Sequence, residues 1–247
     1  MCRPNIIICI GAILIPRGDR LSIFAISDLH LSLSSDKPMD VFNGWSNYTE
    51  QIKANWTRLI DKNDTVVIPG DISWALKLKE AKKDFEFIDS LPGKKIILKG
   101  NHDLWWGTMS KLTEFLCEND FATVTPLFNN CVEAEGIAVC GTRGWSYDCP
   151  ESETKILKRE VGRLRSSLQA AAEKQLKPIV FLHYPPAYGD YVCREIVDVL
   201  KENRIDCVWH GHIHGVGKNN CVSEVEGIKL RLISCDCIGF TPVEVLR

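Results

Sequence analysis

The sequence predicts an α/β fold. Three observations carry that expectation. Apolar runs of strand length alternate with stretches of helical spacing over residues 21 to 118, the rhythm of a parallel sheet with crossover helices. Several of these runs end at once in Asp, Asn or His, so polar chemistry is gathered where ligands bind in such sheets, beyond the carboxyl ends of the strands. Between Phe121 and Gly141 the pattern changes to short β-runs that read as antiparallel strands and open a second sheet.

In order, Leu21–Ile26 is a buried strand running into Ser27-Asp28-Leu29-His30. A loop over Asp36–Trp45 leads to a helix over Tyr48–Ile60, with Ile52, Trp56 and Leu59 at helical spacing. Thr65–Pro69 is a strand ending at Gly70-Asp71, Ala75–Leu91 a helix, and Lys95–Leu98 a strand ending at Lys99-Gly100-Asn101-His102-Asp103. A helix follows over Thr108–Glu118. The short β-runs are Ala122–Val124, Cys131–Glu133 and Ile137–Cys140, the last two joined by a turn at Glu135-Gly136.

The longest helix covers Ser152–Lys174, with Leu157, Val161, Leu164, Leu168 and Ala171 spaced 4, 3, 4, 3 along one face. Its other face carries Lys155, Lys158, Arg159, Arg163 and Arg165, diluted by Glu160, and reads as solvated. Pro178–Leu182 is a strand ending at His183, and Tyr191–Asn203 a helix. Ile205–Trp209 is a strand ending at His210-Gly211-His212, and Glu224–Ser234 a hairpin turning near Gly227.

At 247 residues the chain suits one substantial core, and no repeat or linker divides it, so a single domain over 1–247 is expected. Residues 1–20 have the charge and apolar length of a signal peptide, yet no small-residue cleavage site follows. They read as an N-terminal extension or an extra strand. No stretch reaches the 18 or more apolar residues of a membrane span. A net charge of −2 with no basic stripe gives no indication of nucleic-acid binding. Eleven cysteines, an odd number without a CxxC pair, read as reduced thiols in a cytoplasmic protein. Oligomeric state is not legible.

All six histidines lie at, or within a few residues beyond, the end of an expected strand, in the company of Asp28, Asp71 and Asn101. Mixed imidazole, carboxylate and amide ligands suit Mn, Fe, Zn, Co or Ni rather than Ca or a soft-metal site. Such a set is too large for one tetrahedral ion and fits two ions sharing a carboxylate.

Asp28-Leu29-His30, Gly70-Asp71, Gly100-Asn101-His102-Asp103, His183 and Gly211-His212-Ile213-His214 resemble, in order, the blocks of the calcineurin-like metallophosphoesterases, across about residues 21–215. The resemblance implies a four-layer sandwich of two mixed β-sheets flanked by helices. It implies two divalent ions, one held by Asp28, His30, Asp71 and His214, the other by Asp71, Asn101, His183 and His212, with Asp71 bridging. It further implies that His102 meets the substrate phosphate as donor or general acid, that Asp103 orients the His102 ring, and that a metal-activated water attacks the phosphoester. His210 is extra to the block and reads either as a group supporting the neighbouring ligands or as a buried neutral histidine, the second being favoured. One departure stands out. Many family members carry a polar or charged residue three places after the Asp of Gly-Asp, where this chain has Trp74.

The expected substrate is a small phosphoester, open to a nucleotide-like group, with a phosphodiester placed ahead of a phosphomonoester. Arg143, just past a strand, is a candidate phosphate contact, and Trp105 a candidate aromatic wall. The rival reading is a non-catalytic metal-binding interaction module of the same fold. The intact His102-Asp103 pair counts against it.

Overall fold

A computed structural model describes residues 21–145 and 154–246. The expectation for residues 1–20 lies outside the described residues, as does the start of the long helix at Ser152.

In chain order the elements are β1 (Ile23–Ala25), α1 (Tyr48–Leu59), β2 (Thr65–Pro69), α2 (Lys82–Ser90), β3 (Lys94–Leu98), α3 (Met109–Glu118), β4 (Val124–Pro126), β5 (Val132–Ala134) and β6 (Ile137–Thr142). They continue with α4 (Thr154–Glu173), β7 (Lys177–Leu182), β8 (Ala187–Tyr188), β9 (Tyr191–Val192), α5 (Arg194–Glu202), β10 (Cys207–His210), β11 (Glu224–Val225), β12 (Ile228–Leu232) and β13 (Val243–Leu246). One sheet has the order β13-β1-β2-β3-β4 and the other β11-β12-β10-β7-β6-β5. β1 to β4 run parallel with β13 antiparallel on their edge. β6, β7, β10 and β12 run parallel, flanked by antiparallel β5 and β11.

Three hydrophobic clusters define the layers. Ile23, Ala25, Val67, Ile96 and Leu98 of the first sheet meet Ile137, Val139 and Phe181 of the second between the sheets. Outside the first sheet, Ile52 and Trp56 of α1, Phe85 and Ile88 of α2, and Leu112 and Phe115 of α3 cover Phe24, Val66, Ile68 and Ile97. Outside the second, Leu164, Leu168 and Ala171 of α4 and Ile196, Val197 and Leu200 of α5 cover Cys140, Val180 and Val208. Strands buried on both faces explain why β2 reads as the unbroken run Thr-Val-Val-Ile-Pro, without polar alternation. The arrangement is the expected sandwich of two mixed sheets flanked by helices.

Several boundaries move. The helix expected over Ala75–Leu91 divides into a 3-10 turn at Leu78–Ala81 and α2, and Tyr191–Val192 leaves α5 to pair with β8. The expected hairpin forms as β11–β12, turning at Glu226-Gly227, but β12 also joins β10 in parallel. Two connections bring the sheets' carboxyl edges together. Beyond β1, the Ser27 N–H donates to Ile233 at 2.8 Å and the Cys235 N–H to Ser27 at 2.9 Å. The loops after β1, β2, β3, β7, β10 and β12 therefore converge on one edge.

Candidate metal centre

Each expected ligand sits in the loop beyond a parallel strand. Asp28 and His30 follow β1, Asp71 follows β2, Asn101 follows β3, His183 follows β7, and His212 and His214 follow β10. Asp28, His30, Asp71 and His212 all have positive φ, between 45° and 71°. Non-glycine residues adopt this left-handed region at a cost, and such residues concentrate where the surrounding structure holds a site in place. Gly100 and Gly211 leave room for this crowding: a Cβ on Gly100 would collide with the Asp71 carboxylate, and one on Gly211 with that of Asp28.

The structure brings the ligands into two groups, Asp28 with His30 and His214, and Asp71 with His183 and His212, each with its ligand atoms within 4.8 Å of one another. Asp71 Oδ2 lies 3.5 Å from His183 Nε2 and 3.8 Å from His30 Nε2, so one carboxylate oxygen faces both groups. Asn101 Oδ1 lies 2.6 Å from His183 Nε2 and 3.0 Å from His212 Nδ1. In the first group His30 Nε2 and His214 Nε2 are 3.2 Å apart, and His214 Nε2 is 3.4 Å from Asp28 Oδ1.

The outward nitrogens show which ring atoms point inward. His183 Nδ1 is 3.2 Å from the Pro69 carbonyl, to which it can only donate, so Nε2 presents its lone pair to Asp71 and Asn101. His214 Nδ1 is 2.8 Å from Asp236 Oδ1, which leaves Nε2 toward Asp28. His30 Nδ1 is buried with no hydrogen-bond partner among the described residues. In the second group a neutral His183 with its proton on Nδ1 turns the Nε2 lone pair toward the Asn101 amide oxygen 2.6 Å away, an approach of two acceptors that a shared cation would relieve. The donor set fits divalent ions of the Mn, Fe, Co, Ni and Zn type.

Burial and charge set the protonation of the metal-free chain. Burial pushes His30 and His183 down to about 3, against the pull of the Asp28 charge on both. Burial also opposes protonation of His214, but its hydrogen bonds to Asp236 and Asp28 win and hold it up at about 10. For Asp28 burial acts upward, and its contacts with His214 outweigh it, holding the carboxyl below the usual range. Asp71 moves the other way, raised by burial and by the neighbouring charges of Asp28 and Asp103. His210 is buried and pushed down to about 4 by burial, with Nδ1 3.1 Å from the Gly211 carbonyl, a neutral core histidine as expected.

Two expectations require correction. Asp103 does not orient the His102 ring. Its carboxylate accepts from the backbone N–H groups of Ile72 at 2.9 Å, Ser73 at 3.3 Å and Gly100 at 2.8 Å, and from Trp105 Nε1 at 3.1 Å. Sequence adjacency points successive side chains apart, and the fully buried Asp103 ties the loop after β2 to the loop after β3. Trp105 is not a substrate wall either. It is 3% exposed, bonded to Asp103 and packed edge-on against Phe85 at 5.2 Å.

The half-buried His102 ring rests instead on Trp74, 4.4 Å between centroids, and lies 5.6 Å from the His30 ring. Its backbone N–H donates to Asp71 Oδ1 at 2.8 Å. Trp74 also stacks on His30 at 4.8 Å and 21°, so the residue that departs from the family pattern supports two histidines with its indole. Arg143 stands beyond β6 with Nη2 3.7 Å from Glu160, next to the ligand loops but outside the two groups.

Asp236 escaped the sequence reading. It accepts from His214 Nδ1 and, at 2.8 Å, from the Gly215 N–H. It was hidden in Cys235-Asp236-Cys237 after a hairpin, far from the histidine blocks, and only the pairing of Ser27 with Ser234 brings it near.

A two-sheet sandwich carrying paired histidine–carboxylate groups on its carboxyl edge defines a metallohydrolase-type scaffold. The chain belongs to the calcineurin-like phosphoesterases, whose family pattern matches residues 21–216. Among solved structures it is similar to TT1561 of Thermus thermophilus, with 13% identity, a TM-score of 0.53 and coverage of 92% of this chain and 99% of that one. It is also similar to the phosphopantetheinyl hydrolase PptH of Mycobacterium tuberculosis, with 15% identity, a TM-score of 0.51 and coverage of 88% and 90%. Comparison with curated proteins gave no match. Among the described residues no helix is long and apolar enough to cross a membrane.

Proposed function

We propose that this protein is a dinuclear metal-dependent hydrolase of phosphoesters, acting in the cytoplasm on a small substrate, with phosphodiesters ahead of phosphomonoesters. The single observation that carries the reading is the Asp71 carboxylate oxygen facing both ligand groups, which suits a bridge between two ions. Asp28, His30, Asp71 and His214 would hold one ion, and Asp71, Asn101, His183 and His212 the other. Two such ions supply Lewis acidity to phosphoryl oxygens and make water acidic enough to attack at neutral pH.

The chain's own residues do the rest. Asp236 and Pro69 fix the ring orientations of His214 and His183. His102, held over Trp74, has its ordinary pKa lowered, first by burial, so near neutral pH its ring is an uncharged donor for a phosphoryl oxygen. Cytoplasmic residence accords with the eight free cysteines among the described residues.

Turnover of bis-p-nitrophenyl phosphate against p-nitrophenyl phosphate, with added Mn²⁺, tests the reading. Hydrolysis that is metal-dependent and lost in Asp71→Asn supports it, with the diester turned over faster. Inactivity of metal-loaded protein across a broad phosphoester panel, with Asp71→Asn only lowering stability, would favour the non-catalytic module.

A further inference from the structure

Beside the ligand groups lies a second feature to which the chemistry above gives no part. A cavity of about 260 Å³ opens between the carboxyl ends of β3 and β6 and the first turns of α4. Among the described residues, four cationic side chains line it, Lys99, Arg143, Arg159 and Arg163, with one carboxylate, Glu160. On α4, positions 156, 159, 160 and 163 fall on one face, so part of the helix surface read as solvated is turned to the cavity.

The carboxylate organises the cations and does not cancel them. Glu160 is fully buried, accepts from the Thr142 hydroxyl and from Arg163 Nη1 at 2.6 Å, and lies 3.7 Å from Arg143 Nη2. Arg163 is further fixed over the Phe128 ring at 4.8 Å. Arg143 Nε is buried with no hydrogen-bond partner among the described residues, a donor that an incoming acceptor would satisfy. The described lining, four cations against one carboxylate, carries a surplus of positive charge in a partly enclosed space. Such a concentration of guanidinium forks matches the geometry of phosphate oxygens.

We propose that this cavity is a phosphate-binding subsite that holds a second phosphate group of the substrate while the scissile phosphoester occupies the metal centre. The inference rests on the hydrolase reading for its second half. Chain geometry makes the span short: Lys99 is two residues from Asn101, so their Cα atoms are within about 7 Å. The substrate class is therefore a phosphoester bearing another phosphate a few bonds from the reacting phosphorus. Arg159, exposed on α4, is a phosphate contact whose removal leaves the buried Glu160 cluster intact.

Calorimetric titration of inorganic pyrophosphate into the chelator-treated full chain tests the subsite without the metals. Saturable binding is expected in the wild type and in Asp71→Asn, weakened about tenfold in Arg159→Ala. No saturable binding at millimolar pyrophosphate would overturn the proposal, as would binding that Asp71→Asn abolishes and Arg159→Ala leaves alone. Kinetics with Mn²⁺ on a dinucleoside phosphodiester, with and without a 5′-terminal phosphate, then separates the sources of the anion. The expected result is a preference for the terminally phosphorylated substrate, expressed in KM, that falls about tenfold in Arg159→Ala. Equal kcat/KM for the pair, with pyrophosphate binding intact, would assign the cavity to free phosphate and overturn the substrate assignment. Hydrolysis of neither, with binding intact, would count against the hydrolase reading and leave the anion site standing.

Discussion

The two ligand groups are built alike and held differently. His183, in the second group, is wholly buried, its outer nitrogen on the Pro69 carbonyl and its inner one on Asn101. His214, in the first, is 30% exposed and depends on Asp236, a carboxylate from beyond β12. Strand geometry alone prepares the second group. The first also needs a partner carboxylate, and in the metal-free chain that carboxylate and Asp28 keep a proton on His214. Asp71 joins the two groups, and variants of these residues separate what each contributes.

The largest effect is expected from Asp71→Asn, which weakens the shared ligand. Loss of activity beyond about a hundredfold, with both ions held less tightly, is the expected outcome, since even outer-shell partners of metal ligands are worth about 10- to 100-fold. An ion lost from one group alone would show that Asp71 does not bridge.

Asp236→Asn should act on the first group only. Metal affinity there should fall about 10- to 100-fold while the second ion stays, read as the ratio of ions to chain under limiting metal. Equal loss from both groups would remove the distinction between them.

Acid sharpens the same contrast. Metal uptake near pH 7 should release a proton from His214, seen as a buffer-dependent heat, and affinity should fall by up to about tenfold per proton for each pH unit lowered. In the metal-free chain the histidines oppose one another. The contribution of His214, raised to about 10, is fully present below its unfolded value of about 6.5 and lost as pH rises through 10. His30 and His183, pushed down to about 3, give stability present above about 6.5 and lost as pH falls toward 3. Because the raised Asp71 and Asp103 carboxyls act the other way as pH falls, the test is the difference in melting temperature between metal-free wild type and His183→Gln, which should shrink from pH 7 to pH 4; a difference independent of pH would contradict this environment.

The smallest effect belongs to Trp105→Phe. It removes one hydrogen bond to Asp103 and should cost about 1 kcal/mol of stability, measurable by denaturant titration. A change in KM would return Trp105 to the substrate-contacting role that its burial argues against.

The residues that form the two candidate groups were legible in the sequence because each follows an apolar run of strand length, and strand ends in a parallel sheet share an edge. The second sheet was legible from the family resemblance and from the runs Cys131–Glu133 and Ile137–Cys140, which pair antiparallel as β5 and β6, whereas the run expected to open it at Ala122–Val124 forms β4, parallel to β3 in the first sheet. What stayed hidden depends on long-range pairing. β13 is an edge strand of only four residues, Val-Glu-Val-Leu, too short to stand out and recognisable only against β1. Asp236 reaches His214 because β1 and β12 meet at their ends across the two sheets. Adjacency misled at Asp103, whose partners lie 30 and 31 residues away in the loop after β2 as well as beside it. Trp74 looked like a lost polar contact and instead stacks on His30 and meets His102 at a tilt.

Two ions joined by one carboxylate require both groups to fill, and elemental analysis of the purified, metal-loaded protein reads that occupancy. Two divalent ions per chain are expected, falling to one in Asp236→Asn at limiting metal. One ion or none in the wild-type chain would contradict it.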